Sequence, residues 1–227
     1  MSVKIGIPKA LLFHKYSCLW TTFFEELGAE VIVSDNTNKK ILDQGTNNTV
    51  DEACIPIKLF HGHVLSLKDK VDYIFMPRIL SLHKKEYICP NNLYDKYMNM
   101  NSIDKIKAKG DVLTPEMIDK AIIDEYSTKY KGKIFWSFAR KLIGSTLYLV
   151  ENNLADGVIY ISSFGCGIDS VVEEIVERII KKESNIPYML LTLDEHSGEA
   201  GINTRLEAFI DMIKWRDTNE NNISAHG

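Results

Sequence analysis

Three of the four cysteines in this chain stand where a thiol can do chemistry. Cys54 lies in Asp51-Glu52-Ala53-Cys54-Ile55-Pro56, Cys89 in Tyr87-Ile88-Cys89-Pro90, and Cys166 in Phe164-Gly165-Cys166-Gly167. Each sits at a turn-like break, ahead of a proline suited to a first helical turn or between two glycines. A helix N-terminus offers unsatisfied N–H groups and a positive dipole end, and both favour a thiolate. Glycine beside a cysteine allows backbone angles and close approaches that a side chain would block. Four scattered cysteines in a chain of 227 residues do not resemble a disulfide framework, which leaves metal ligands, reactive thiols or buried apolar residues. Cys18 falls inside the apolar helical run Leu19, Trp20, Phe23, Phe24 and Leu27, reads as core, and stays outside the site.

The elements that must position these thiols alternate between strand and helix. Gly157–Ile161 is a short β-branched run, and Val171, Val172, Ile175, Val176, Ile179 and Ile180 recur at helical spacing, so Cys166 lies at a strand-to-helix turn. Ser170 and Glu173 read as a capping pair for that helix. Phe60, Val64 and Leu67 share one helical face after Pro56, which places Cys54 just ahead of a helix with His61 and His63 on its other faces. With no C-x-x-C pairing nearby, these histidines read as surface or supporting residues rather than zinc ligands.

Strands are expected at Val3–Ile7, Val31–Val33, Val71–Met76 and Tyr188–Leu193, and helices at Asn38–Gln44 and Ser137–Asn152. A polar excursion over 91–133 contains a helix opened by Thr114-Pro115 and continued by Ile118, Ile122 and Tyr126. The turn Asp194–Gly201 precedes a helix that Thr204 and Glu207 would cap, with Leu206, Ile210 and Ile213 buried, and the chain turns polar from Trp215. This alternation predicts an α/β fold of three-layer parallel-sheet lobes, Rossmann-like or flavodoxin-like, with the cysteines on loops at strand ends. Residues 1–214 read as one unit, in two lobes divided by the excursion, and 215–227 as a polar tail.

Composition narrows the function. Hydrophobic residues make up 45% of the chain, enough for a sizeable core, and the net charge of −4 supplies no basic field for nucleic acid or an anionic membrane. No apolar run approaches the about 20 residues of a membrane span, and the apolar start is too short for a secretory signal, so a cytoplasmic protein is expected.

The blocks Asp51-Glu52-Ala53-Cys54-Ile55-Pro56-Ile57-Lys58, Phe60-His61-Gly62-His63-Val64, Tyr87-Ile88-Cys89-Pro90, Phe164-Gly165-Cys166-Gly167 and Leu193–Gly201 carry a resemblance. In that order they look like the signature blocks of the acyl-CoA dehydratase activase-related proteins, within the superfamily of 2-hydroxyacyl-CoA dehydratases, benzoyl-CoA reductases and double-cubane cluster proteins. The resemblance runs from Ile5 to Ile213 and is weakest over 91–133. It implies oxygen-sensitive iron–sulfur chemistry with three cysteines per cluster, here Cys54, Cys89 and Cys166, in low-potential, ATP-dependent electron transfer. The activase proper carries a nucleotide-binding signature and a cysteine-bridged cluster. This chain has neither a G-x-x-x-x-G-K-[ST] loop nor a C-x-x-C pair, so it reads as something other than the ATPase, and the resemblance implies an ATP-dependent activase as its electron donor.

Three thiolates bind three corners of a 4Fe-4S cube and leave one iron open, whereas purely electron-transferring clusters are usually closed by a fourth cysteine. The implied assembly is a homodimer, or a heterodimer with a longer dehydratase-like subunit, holding single cubes or a bridged pair across the dimer. His196 and Glu199 are the groups best able to move protons near the site, and Lys58, Arg78, His63 and His196 could add charge or protons. Two other classes remain. A cofactor-free thiol enzyme, such as a racemase using Cys54 and Cys166 as acid and base, leaves Cys89 without a role. A carrier subunit would hold a cluster only to pass on electrons, or to deliver the cluster itself.

Overall fold

A computed structural model of the chain describes residues 2–77 and 111–224. Cys89 and Arg78, and much of the polar excursion, lie outside the described residues. The described chain is mixed α/β and divides into two compact units, with Ser163–Gly165 grouped with the N-terminal one.

In the first unit, strand β1 (Lys4–Ile7) is the centre of a three-stranded parallel sheet between β2 (Glu30–Val33) and β3 (Tyr73–Ile74). Ile5 stands opposite both Val31 and Tyr73. β3 is much shorter than the apolar run Val71–Met76 suggests. Helix α1 (Phe13–Glu26) joins β1 to β2 and ends in a Schellman arrangement: Gly28 takes φ 82, its N–H donates to Glu25, and the N–H of Ala29 donates to Phe24.

The apolar residues of α1 divide between two faces. Trp20 and Phe24 pack edge-on against Phe75, at 5.4 and 5.0 Å between ring centres. That choice turns Leu19, Phe23 and Leu27 outward, at 63%, 57% and 69% exposure, and Cys18 is exposed beside them. The expectation of Cys18 as a core residue is therefore corrected: an apolar helical run has only one inward stripe, and Cys18 lies off it.

Helix α2 (Lys39–Asn47) is capped by the Asn38 side chain, which accepts the Ile41 N–H at 3.0 Å. It crosses helix α3 (Ile55–Leu67) at backbone contact. A Cβ on Gly45 would stand 1.8 Å from the Lys58 carbonyl oxygen, and one on Gly62 1.9 Å from that of Ile41. Only glycine permits this crossing.

In the second unit, Thr114 and Pro115 open a short 3-10 turn (Pro115–Met117) rather than the expected helix. Asp119 starts helix α4 (Lys120–Lys129) afresh, its carboxylate accepting the Ala121 N–H at 2.7 Å. Helix α5 (Ser137–Glu151) is buried along most of its length, and a Cβ on Gly144 would meet the Ile123 carbonyl oxygen of α4 at 2.4 Å. Strand β4 (Val158–Ser163), helix α6 (Gly167–Glu183) and strand β5 (Tyr188–Leu193) follow, with β4 and β5 paired in a two-stranded sheet.

Helix α7 (Glu199–Ser224) begins before Thr204, so the expected cap at Thr204 and Glu207 is not formed. The Ile202 N–H already donates to Gly198, and the Thr204 hydroxyl bonds back to Ala200 within the helix. Ile202, Leu206 and Phe209 are buried, and Arg205 and Arg216 reach back to the carbonyls of Leu190 and Asn185. The second tether lies beyond Trp215, where the polar sequence suggests fraying but the helix continues to Ser224.

Gly45→Ala and Gly62→Ala are expected to lose at least about 1–3 kcal/mol of stability, because the Cβ meets backbone carbonyls that belong to helices and cannot rotate away. Gly201→Ala, inside α7 with open space around its Cβ, is expected to gain about 0.5–1 kcal/mol. Chemical denaturation of the three variants checks this contrast; equal effects at Gly45 and Gly201 would contradict it.

Candidate functional site

Cys54 and Cys166 occupy the same local position. Cys54 is the N-cap of α3, with extended backbone angles (φ −64, ψ 151) and Pro56 in the first turn. Cys166 is the N-cap of α6, with φ −88 and ψ 101. In neither case does the thiol act as the capping acceptor. Cys54 is 4% exposed and Cys166 is half-buried.

The carbonyl of Cys54 receives the N–H groups of Ile57 and Lys58 at 2.9 and 3.2 Å, and that of Cys166 receives the Ser170 N–H and hydroxyl, each at 3.1 Å. Ser170 is thus a residue inside the helix, and the expected capping pair of Ser170 and Glu173 is corrected. The helix starts one turn earlier, on Gly167, because Gly165 takes φ 78 and turns the chain directly out of β4. Gly165 lies beside Cys54 in the first unit: a Cβ there would stand 3.5 Å from the Glu52 carbonyl oxygen and 3.6 Å from the Cys54 Cα. Gly167 opens onto free space.

Around Cys54, α3 carries two buried polar residues. Lys58 is 2% exposed. His63 is fully buried, its Nδ1 2.9 Å from the Ser34 hydroxyl and its Nε2 3.0 Å from the Thr37 hydroxyl, while Ser34 Oγ also accepts the Lys9 N–H at 2.7 Å. His63 therefore ties α3 to the carboxyl ends of β1 and β2. His61 is exposed. Among the described residues no group of three His, Cys, Asp or Glu is arranged to hold a metal ion.

Around Cys166, the strand-facing side of α6 is acidic. Asp169, in the first turn and 9% exposed, accepts the Tyr160 hydroxyl at 2.9 Å. Burial raises the Glu173 carboxyl above the usual range, although a hydrogen bond to Ser162 opposes the shift. Burial also pushes the Tyr188 hydroxyl up, helped by the carboxylates of Glu173, Glu177 and Glu174. Sequence reading passed over Asp169 and Tyr160. The available signal was an acidic residue in the first turn of a helix, where the dipole favours it.

The turn after β5 is a closed loop of hydrogen bonds. The Asp194 N–H donates to Ser197 Oγ at 2.9 Å, and the Ser197 hydroxyl and the His196 N–H donate to Asp194 Oδ1 at 2.8 and 2.9 Å. His196 is exposed. Glu199 opens α7, and its side chain lies outside those described. The Cys166 turn and this turn each follow the carboxyl end of one of two paired strands.

Two family patterns match the chain. The CoA enzyme activase uncharacterised domain matches residues 4–128, and the 2-hydroxyglutaryl-CoA dehydratase D-component matches residues 94–213, each more than half of the chain. The chain belongs to these dehydratase and activase-related families. The first match includes Cys54 and Cys89; the second includes Cys166, His196 and Glu199. An uncharacterized protein of Methanocaldococcus jannaschii is 23% identical over 109 residues, covering 48% of this chain and 26% of the relative. The matched stretch thus spans about a quarter of that relative's length. No solved structure matches the chain. Among the described residues, no helix is long and apolar enough to cross a membrane.

The Ser197 hydroxyl holds the Asp194 carboxyl below its ordinary value, with the His196 N–H adding to the effect and burial opposing it. A depressed carboxylate contributes stability above its unfolded value and loses it as the pH falls through the folded one. Ser197→Ala is therefore expected to raise the Asp194 titration toward the ordinary carboxylate range and to move the onset of acid loosening of this turn to higher pH. NMR titration of the Asp194 carboxyl checks the shift; an unchanged midpoint would contradict it.

Proposed function

We propose that this chain is the iron–sulfur component of a 2-hydroxyacyl-CoA dehydratase-type system. It binds a 4Fe-4S-type cluster through Cys54, Cys89 and Cys166, or half of a bridged pair across a dimer. The observation that carries the reading is that both described ligand candidates cap helices with extended backbone and do not spend their sulfur on capping. Soft thiolates at positive helix ends suit iron–sulfur better than a hard-ion site. The buried histidine that might have suggested zinc is instead engaged on both ring nitrogens by hydroxyls.

When bound, the cluster supplies low-potential one-electron chemistry with one iron open to a ligand other than cysteine. The chain's own part is to present three thiolates, to place backbone N–H groups of the helix starts near their sulfurs, and to keep protons available at His196 and Glu199. An ATP-dependent activase serves as electron donor, and a second copy or a longer dehydratase-like subunit covers the open side. The two halves act as one dehydratase-like α/β unit in the cytoplasm, its sheets completed into three-layer lobes.

Cys54→Ser, Cys89→Ser and Cys166→Ser, purified without oxygen, are each expected to lose most of their iron and acid-labile sulfide, whereas Cys18→Ser keeps both. His196→Ala and Glu199→Gln are expected to keep the cluster and change its redox behaviour, and mass photometry of the same samples should show a dimer or heterodimer. Full iron occupancy in Cys89→Ser would remove that residue from the site, and a fully loaded, redox-competent monomer would remove the assembly.

A further inference from the structure

We propose that Glu173, Ser162 and Tyr188 form a proton-operated latch that seats helix α6 on strands β4 and β5, and that it closes when the Glu173 carboxyl carries a proton. The latch is independent of the iron–sulfur reading, although α6 is the helix that Cys166 caps. Ser162, near the end of β4, is 4% exposed, and its hydroxyl donates to the Glu173 carboxyl. Tyr188 opens β5, and its hydroxyl oxygen is shut off from solvent with no hydrogen-bond partner among the described residues. A buried polar atom left in that state is uncommon and costs stability. Among the carboxylates that act on this hydroxyl, that of Glu173 acts most strongly.

An ionised carboxylate only accepts hydrogen bonds, whereas a carboxylic acid also donates one. Burial holds the Tyr188 hydroxyl in its neutral form, which leaves its oxygen able to accept. Protonated Glu173 keeps the Ser162 bond on one oxygen and donates its O–H to the Tyr188 oxygen, so one helix residue is tied to both strands. The surroundings favour that form. The charged groups acting on Glu173 are the carboxylates of Asp169, Glu177 and Glu174 on its own helix, and each opposes its ionisation, as burial does. On β4, the Tyr160 hydroxyl donates to Asp169. On α5, which packs against α6, Arg140 and Glu151 pair with Asp124 and Lys129 of α4, Tyr148 packs edge-on against Tyr126, and Lys141 is the remaining cation. On α7, Arg205 and Arg216 bond the carbonyls of Leu190 and Asn185.

A carboxyl that titrates higher in the folded chain than in the unfolded one adds stability that is fully present below the unfolded value. That stability is lost as the pH rises through the folded value. Glu173→Gln fixes the side chain in a neutral form of the same size, and its stability is compared with the parent's by chemical denaturation from about pH 5 to about pH 8. The difference is expected to widen with pH in the variant's favour, and a difference constant over this range would overturn the proposal. NMR titration of the Glu173 carboxyl in Tyr188→Phe is expected to give a lower midpoint than in the parent, because the acid form has lost its acceptor. A midpoint that stays or rises would overturn the latch. If Glu173→Gln does not fold, amide hydrogen exchange of the unaltered protein decides. Exchange along α6, corrected for its intrinsic pH dependence, is expected to slow as Glu173 takes up its proton, and exchange that ignores that titration overturns the proposal.

Discussion

Two carbonyl oxygens with no room for a Cβ beside them set the geometry of the first unit. Gly45 lies against the Lys58 carbonyl and Gly62 against that of Ile41, so α2 and α3 cross with their backbones in contact. A contact of this kind has no soft coordinate: neither partner is a side chain that can change rotamer. It fixes the first turn of α3, and with it the N-cap Cys54 and the buried Lys58. His63 fixes the same helix one and a half turns further on, through the hydroxyls of Ser34 and Thr37. Helix α3 is thus held at two places, and the thiol at its start inherits that rigidity.

Around Cys166 a similar result is reached by different means. Gly165 turns the chain through a left-handed residue so that α6 starts on Gly167, leaving Cys166 as its cap. Buried Asp169 takes up part of the helix-end field and accepts the Tyr160 hydroxyl from the adjoining strand. Charge of opposite sign therefore stands within a turn of each thiol, Lys58 after Cys54 and Asp169 after Cys166.

The sequence signals that proved sound were those with a backbone cause. Pro56 and the glycines around Cys166 mark both helix starts because each restricts or frees φ. Strand β5 was legible over Tyr188–Leu193 and α5 to within a residue of its end, since a short apolar run and a long 3.6-residue repeat leave few alternatives. What failed depended on partners distant in sequence. Cys18 looked like core until Phe75 selected the other face of α1. Ser170 with Glu173 and Thr204 with Glu207 matched a capping pattern, yet the helices had already begun upstream, where Gly165 and Gly198 permitted it. The burial of Lys58 and His63 has no local signature, because it follows from how α2 and the ends of β1 and β2 close over α3.

The proposed function requires three thiolates to hold one cube with an open iron. Mössbauer spectroscopy of the anaerobically prepared, iron-57-loaded protein measures this directly. The expected spectrum separates the irons of each cube about three to one, three with a cysteine ligand and one without. Four equivalent thiolate-bound irons, or mononuclear iron without sulfide, would contradict it.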